Sequence, residues 1–240
     1  MKSIQQHIIE RLQLNKDRIF KYQYTPKTKE ELEKIIDEIT KQHKGDEAID
    51  LNIIDVSKIT DMYGLFKYRQ NIYDISQWDV SQVENMKSMF ENSKFNGDIS
   101  QWDVSHVEDM SYMFSESEFN GNISQWDVSN VETMYGMFYN SKFNQDISRW
   151  DVSNVHNMHS MFGHAAFNKN ISKWNVSNVV NMVNMFRYSK FNNDISQWDV
   201  SNVEDMYCMF FDSKFNQDLT SWKNKIKNKE QLYWIKDYIK

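Results

Sequence analysis

The chain has 240 residues, 40% hydrophobic and 26% charged, so it is long enough for one large or two small globular domains and too apolar to be disordered. Its formal charge of -6 argues against a general nucleic-acid binder, and the single cysteine, Cys208, excludes an internal disulfide. One proline and six glycines are too few to turn many corners, which leaves the corners to the abundant asparagines.

The opening "MKSIQQHIIERLQLNKDRIF" lacks the apolar run of a secretory signal, because Glu10 and Arg11 interrupt it. No stretch reaches the roughly 18 apolar residues of a membrane span. As it stands, the sequence predicts a soluble, cytoplasmic, monomeric protein. In "TPKTKEELEKIIDEITKQHKG", Thr28 is placed as an N-cap, Glu31 at the capping-box position and Gly45 as a stop. Leu32, Ile35, Ile36 and Ile39 give this helix one apolar face. Residues 1–46 are therefore predicted as an N-terminal helical cap.

A repeat follows. Trp78, Trp102, Trp126, Trp150, Trp174, Trp198 and Trp222 are spaced by 24 residues without an insertion. Val80 to Val200, Met86 to Met206 and Phe90 to Phe210 keep the same step, and Ile54 takes the tryptophan place in a first, divergent turn. A fixed period of this length signals a solenoid whose units bury their apolar faces on one another. Within "NISQWDVSNVETMYGMFYNSKF", Trp126-Asp127-Val128 alternates as a strand does. Ser129 and Glu132 have the spacing of a capping box, as do Ser81/Glu84, Ser105/Glu108 and Ser201/Glu204. Val131, Met134, Met137 and Phe138 then fall at helical spacing. The predicted fold is α/β: a solenoid over residues 47–222 of about seven 24-residue strand–short-helix turns, leucine-rich-repeat-like. "KNKEQLYWIKDYIK", with Leu232, Ile235 and Ile239 on one face, predicts a helical C-terminal cap over 223–240.

The regular columns read as structure before they read as chemistry. Asn96, Asn120, Asn144, Asn168, Asn192 and Asn216 predict an asparagine ladder on backbone groups, with tolerance of left-handed backbone replacing glycine. Asp79, Asp103, Asp127, Asp151 and Asp199 predict local hydrogen bonds to the following turn; Asn175 interrupts any calcium column. His156, His159 and His164 form a cluster in which His156 and His159, three apart on one helix, could share a metal, yet no cysteine or carboxylate supports them and solvent-facing histidines are expected. The methionine pairs are core filler. With no phosphate loop and no nucleophile elbow, no catalytic, metal or cofactor residues are assigned.

From "FNGDISQWDVSHVEDMSYMF" the repeat resembles the BspA-like leucine-rich-repeat group of bacterial surface proteins, in its PARCEL form. The likeness covers about residues 22 to 222. It implies a solenoid that binds proteins, often at a cell surface, with no catalytic residues to carry over. Function is then expected where side chains vary on a fixed frame, outward on the expected helices. The candidate binding residues are Tyr112, Tyr135, Tyr139, His159, Arg187, Tyr188, Tyr207 and Phe211, facing a protein partner. A structural or self-assembling adhesin-type module is the alternative, and an enzyme a distant third.

Overall fold

The structure is a computed structural model that describes residues 22–45 and 47–240. The reading of residues 1–21, the first part of the predicted N-terminal cap, lies outside the described residues. The α-helix runs Lys29–Gln42, where Thr28 Oγ1 accepts from the Glu31 amide. Glu31 returns its carboxylate to the Lys27 amide at 2.7 Å, one residue before the cap. Leu32 and Ile36 are fully buried, with Ile35 and Ile39 packed beside them. The helix ends ahead of Gly45, because His43 is already extended.

Beyond the helix the chain coils into tiers of 24 residues. Two-residue strands, Ile49–Asp50 and Tyr73–Asp74, pair in parallel. Parallel bridges then join Asp61, Asn85, Asp109, Thr133, Asn157, Asn181 and Asp205 in succession, each one period from the next. The pairing place is not the one expected. Trp126-Asp127-Val128 keeps its buried–exposed–buried order but joins no ladder. The Trp126 amide bonds back to Ile123 O and the Val131 amide to Val128 O, closing turns on both sides.

The short helices are also absent; among the described residues the only α-helix is Lys29–Gln42. The capping box does not form, since the Glu132 amide is bonded to Glu108 O of the preceding tier at 2.9 Å. Ser129 instead donates its own amide to Asp127 Oδ1. From Met134 onward the chain makes consecutive tight turns, with Met137 N–H on Met134 O, Tyr139 N–H on Gly136 O and Ser141 N–H on Phe138 O. The third residue of the first and last of these turns has positive φ: Gly136 at 59° and Asn140 at 50°. Every second amide is thereby turned along the stack. Met134, Gly136, Phe138 and Asn140 donate to Asn157, His159, Met161 and Gly163 of the next tier at 2.8–3.0 Å. Helical spacing and the spacing of serial three-residue turns look alike over one period, and the inter-tier ladder selects the second.

Corners are made by carboxylate and amide side chains that accept from the amide two residues on, as in Asp103 to Ser105, Asn122 to Ser124 and Asp109 to Ser111. The asparagine column forms its ladder, with Asn120, Asn144, Asn168, Asn192 and Asn216 amides each donating to the Oδ1 one tier earlier at 2.8–2.9 Å. Left-handed backbone sits elsewhere, on residues such as Tyr112, Glu116, His164 and Cys208.

The interior is ordered in columns. Phe66, Phe90, Phe114, Phe138, Phe162, Phe186 and Phe210 stack with centroids 5.5–5.8 Å apart. A second phenylalanine column packs 4.2 Å beside it. Each of the seven tryptophans from Trp78 to Trp222 is buried and sends its indole N–H to a carbonyl of the preceding tier, as Trp126 Nε1 does to Ile99 O at 3.0 Å. The C-terminal residues form 3-10 helices at Thr220–Asn224 and Lys229–Tyr238 instead of an α-helix. Three residues per turn bring Leu232, Ile235 and Tyr238 to one side, and they close on the last tier. No helix among the described residues is long and apolar enough to cross a membrane.

Candidate functional site

The residues selected as outward on helices lie instead on the serial turns that carry the inter-tier ladder. There, alternate amides are tied to the next tier, so the side chains between them project at a fixed spacing. The candidates fall on two neighbouring lines of ring contacts, which together form an aromatic row. Tyr112 meets Tyr135 edge-on at 4.8 Å, and Tyr135 meets His159 at 4.5 Å. On the neighbouring line Tyr139 contacts His164 at 5.4 Å, His164 contacts Tyr188 at 4.7 Å, and Tyr188 contacts Phe211 at 5.6 Å. Arg187 lies over the rings of both Tyr188 and Phe211. Tyr207 turns away to pack edge-on against Trp234 of the C-terminal 3-10 helix.

Exposure grades along the row. Tyr112, Tyr135, Tyr139 and His159 are half-buried, while Tyr188, Tyr207 and Phe211 are 40%, 48% and 49% exposed. Burial, with Tyr135 alongside, pushes the Tyr112 phenol above its ordinary value. Burial also lowers His159, against the opposing pull of Asp205.

A hollow of about 240 Å³ opens where the row is interrupted. Tyr112, Tyr135, Tyr139 and Arg187 line it together with Ser160, Gly163, His164 and Asn184. Gly163 makes the gap: it occupies the place that Tyr139 fills one tier before and Arg187 one tier after. The Tyr139 ring leans over it, 3.2 Å from where a Cβ would stand. Gly136, with φ of 59°, lets the Tyr112 ring lean in the same direction. Two polar atoms in the wall, Asn184 Oδ1 and Arg187 Nε, are buried without a hydrogen-bond partner.

Selecting large side chains missed Gly163, Ser160, His164 and Asn184. A glycine in a chain with six of them, between Tyr139 and Arg187 in the adjoining tiers of its column, was the available signal. His156 and His159 are not brought together: His156 is exposed in a separate hollow with His106, Glu84, Glu108 and Glu132. The Asp column bonds locally, as Asp103, Asp151 and Asp199 accept from the serine amides two residues on. The Ser105 and Ser201 hydroxyls, and after them those amides, hold the Asp103 and Asp199 carboxyls below the ordinary carboxylate value.

No curated protein and no solved structure matches the chain. The family described as "Mycoplasma protein of unknown function, DUF285" matches residues 32–148 and again 140–235. The two matches together cover residues 32–235, including all the repeats, and the chain belongs to this family.

Proposed function

We propose that the 24-residue tiers form a solenoid that serves as a non-catalytic scaffold for protein–protein binding, with the aromatic row as its binding face. The observation that carries this reading is the contrast between frame and row. The same Trp, Met and Phe recur in the interior from tier to tier after the first, whereas the projecting places change to Tyr, His, Arg and Phe in contact with one another. Tyr and Arg are the side chains that most often carry interface energy. The likeness of the repeat to the BspA-like, PARCEL-type group favours the same role and, with it, a place at a cell surface.

The test is capture of a partner by the folded protein, identified by mass spectrometry. Tyr139→Ala with Tyr188→Ala is expected to keep the melting temperature within a few degrees and to abolish capture. Gln125→Ala with Arg149→Ala, both exposed beside the tryptophan column, is expected to leave capture intact. The reverse pattern places binding on the other face and rejects this one.

A further inference from the structure

The hollow at Gly163 contains an uncompensated cation. Arg187 spends the faces of its guanidinium on two rings, with Cζ 5.1 Å from the Tyr188 centroid and 5.3 Å from that of Phe211. Its edge N–H groups remain. Among the described residues its side chain makes no ion pair or hydrogen bond, and Nε is buried without an acceptor. The lining contains no aspartate or glutamate. Asn184 is also unsatisfied through Oδ1, and an amide can turn over within its own volume to present Nδ2 as a donor. Ser160 adds a hydroxyl.

Resting on the binding-face reading above, we propose that the hollow receives the carboxylate of an aspartate or glutamate side chain of the partner protein. A planar guanidinium matches a planar carboxylate through two parallel N–H···O bonds, and charge-assisted bonds are stronger than neutral ones. Phosphate recognition is typically the work of arginine clusters, and Arg187 is the only arginine in this lining. The volume, about 240 Å³, suits one side chain and falls short of the range of drug-sized ligands. His164, exposed at the rim, is the other titratable cation-former in the lining, and Asp205 is the carboxylate whose charge reaches His159 beside it.

The probe is N-acetyl-glutamic acid amide, titrated into the full chain, with N-acetyl-glutamine amide as the neutral isostere. The Arg187 Nε–H and Asn184 side-chain amide NMR signals are the readout. Expected are saturable shifts of both signals with the carboxylate and binding of the carboxamide weaker by about tenfold or more. In Arg187→Gln the Asn184 response to the carboxylate is expected to vanish, and in Arg187→Lys, which keeps charge without the fork, to weaken. Equal binding of the carboxamide, no saturable shift, or an unchanged Asn184 response in Arg187→Gln each overturns the proposal. Partner capture separates it from the reading on which it rests. Loss in the Tyr139/Tyr188 variant with retention in Arg187→Gln keeps the binding face and rejects the carboxylate; retention in both rejects both.

Discussion

Trp126 combines two kinds of stabilisation in one side chain. Its indole lies in the interior, and its Nε1–H satisfies the Ile99 carbonyl of the tier before. Trp126→Ala is expected to cost about 3–5 kcal/mol, as for other buried aromatic truncations. Trp126→Phe keeps a ring and removes one hydrogen bond, but the Trp102 amide still donates to Ile99 O, so the expected cost is about 0.5–1.5 kcal/mol. Gln125→Ala, next to it and exposed, is expected to stay within about 0.5 kcal/mol. Urea midpoints rank the three, and equal midpoints for Trp126→Ala and Gln125→Ala would place the indole outside the core. His159 supplies a pH test. Its folded value is lowered by burial, so below its ordinary value of 6.5 the unfolded chain binds the proton more readily than the folded one. Stability is therefore lost as pH falls through that value and levels off below the folded one. Between about pH 7.5 and about pH 5, wild type should lose more stability than His159→Phe. The lowered aspartates, Asp103 and Asp199 among them, act in a separate window: their contribution is complete above 3.8 and is lost as pH falls through their folded values.

Each tier depends on left-handed residues that are not glycine. Glu116, at φ 54°, donates its amide to Tyr139 O and has an exposed side chain. An L-residue in this region costs about 1–2 kcal/mol relative to glycine. Glu116→Gly is thus expected to raise the urea midpoint, offset in part by the flexibility of glycine, and Glu116→Val to lower it. If valine is tolerated as well as glycine, the alternating backbone is not a source of strain. These positions also mark where sequence reasoning stopped. Tyr112, Glu116, His164 and Cys208 share one backbone conformation and no chemistry, so nothing in their identity announces it. The tryptophan column was legible because a large indole recurring in register has to be interior. The serine after it was misread because Asp127 competes for the same turn: S-x-x-E proposes a helix cap, while D-x-S closes a tight turn without one. The aromatic members of the candidate row were legible as varied large residues, but the hollow was defined by an absence, the side chain that Gly163 lacks.

At the scale of the whole molecule, the register predicts which deletions are tolerated. Removing 24 residues, Asn96 to Phe119, joins Phe95 to Asn120 and restores every column. Removing 12, Asn96 to Val107, joins Phe95 to Glu108 and sets the indole column against the ladder. The first variant is expected to melt cooperatively near wild type and the second to lose its transition. The C-terminal closure predicts a further cost. Gln231 Oε1 accepts from the Met206 amide at 2.9 Å, standing in for the carbonyl of a tier that does not follow. Gln231→Leu keeps the volume, leaves that amide buried and unpaired, and is expected to cost about 1–3 kcal/mol in chemical denaturation.

The ladder gives the stack a net electrical polarity, because the amides that point to the next tier outnumber those that point back, such as Glu132 to Glu108 O and Lys142 to Ser117 O. Four peptide units in each tier, such as those ending in the Met134, Gly136, Phe138 and Asn140 amides, point N–H toward the C-terminal end and C=O toward the N-terminal end. Peptide dipoles of about 3.5 D aligned in this way add along the axis, as they do in an α-helix, but with the positive pole at the opposite terminus. The closing side chains have the matching sense. At the carbonyl pole the Arg69 guanidinium donates to Leu65 O, and at the amide pole the Gln231 oxygen accepts from Met206. Cations are thereby favoured at the beginning of the stack and acceptors at its end, an inversion of the rule for helices that follows from the majority direction of the inter-tier amides.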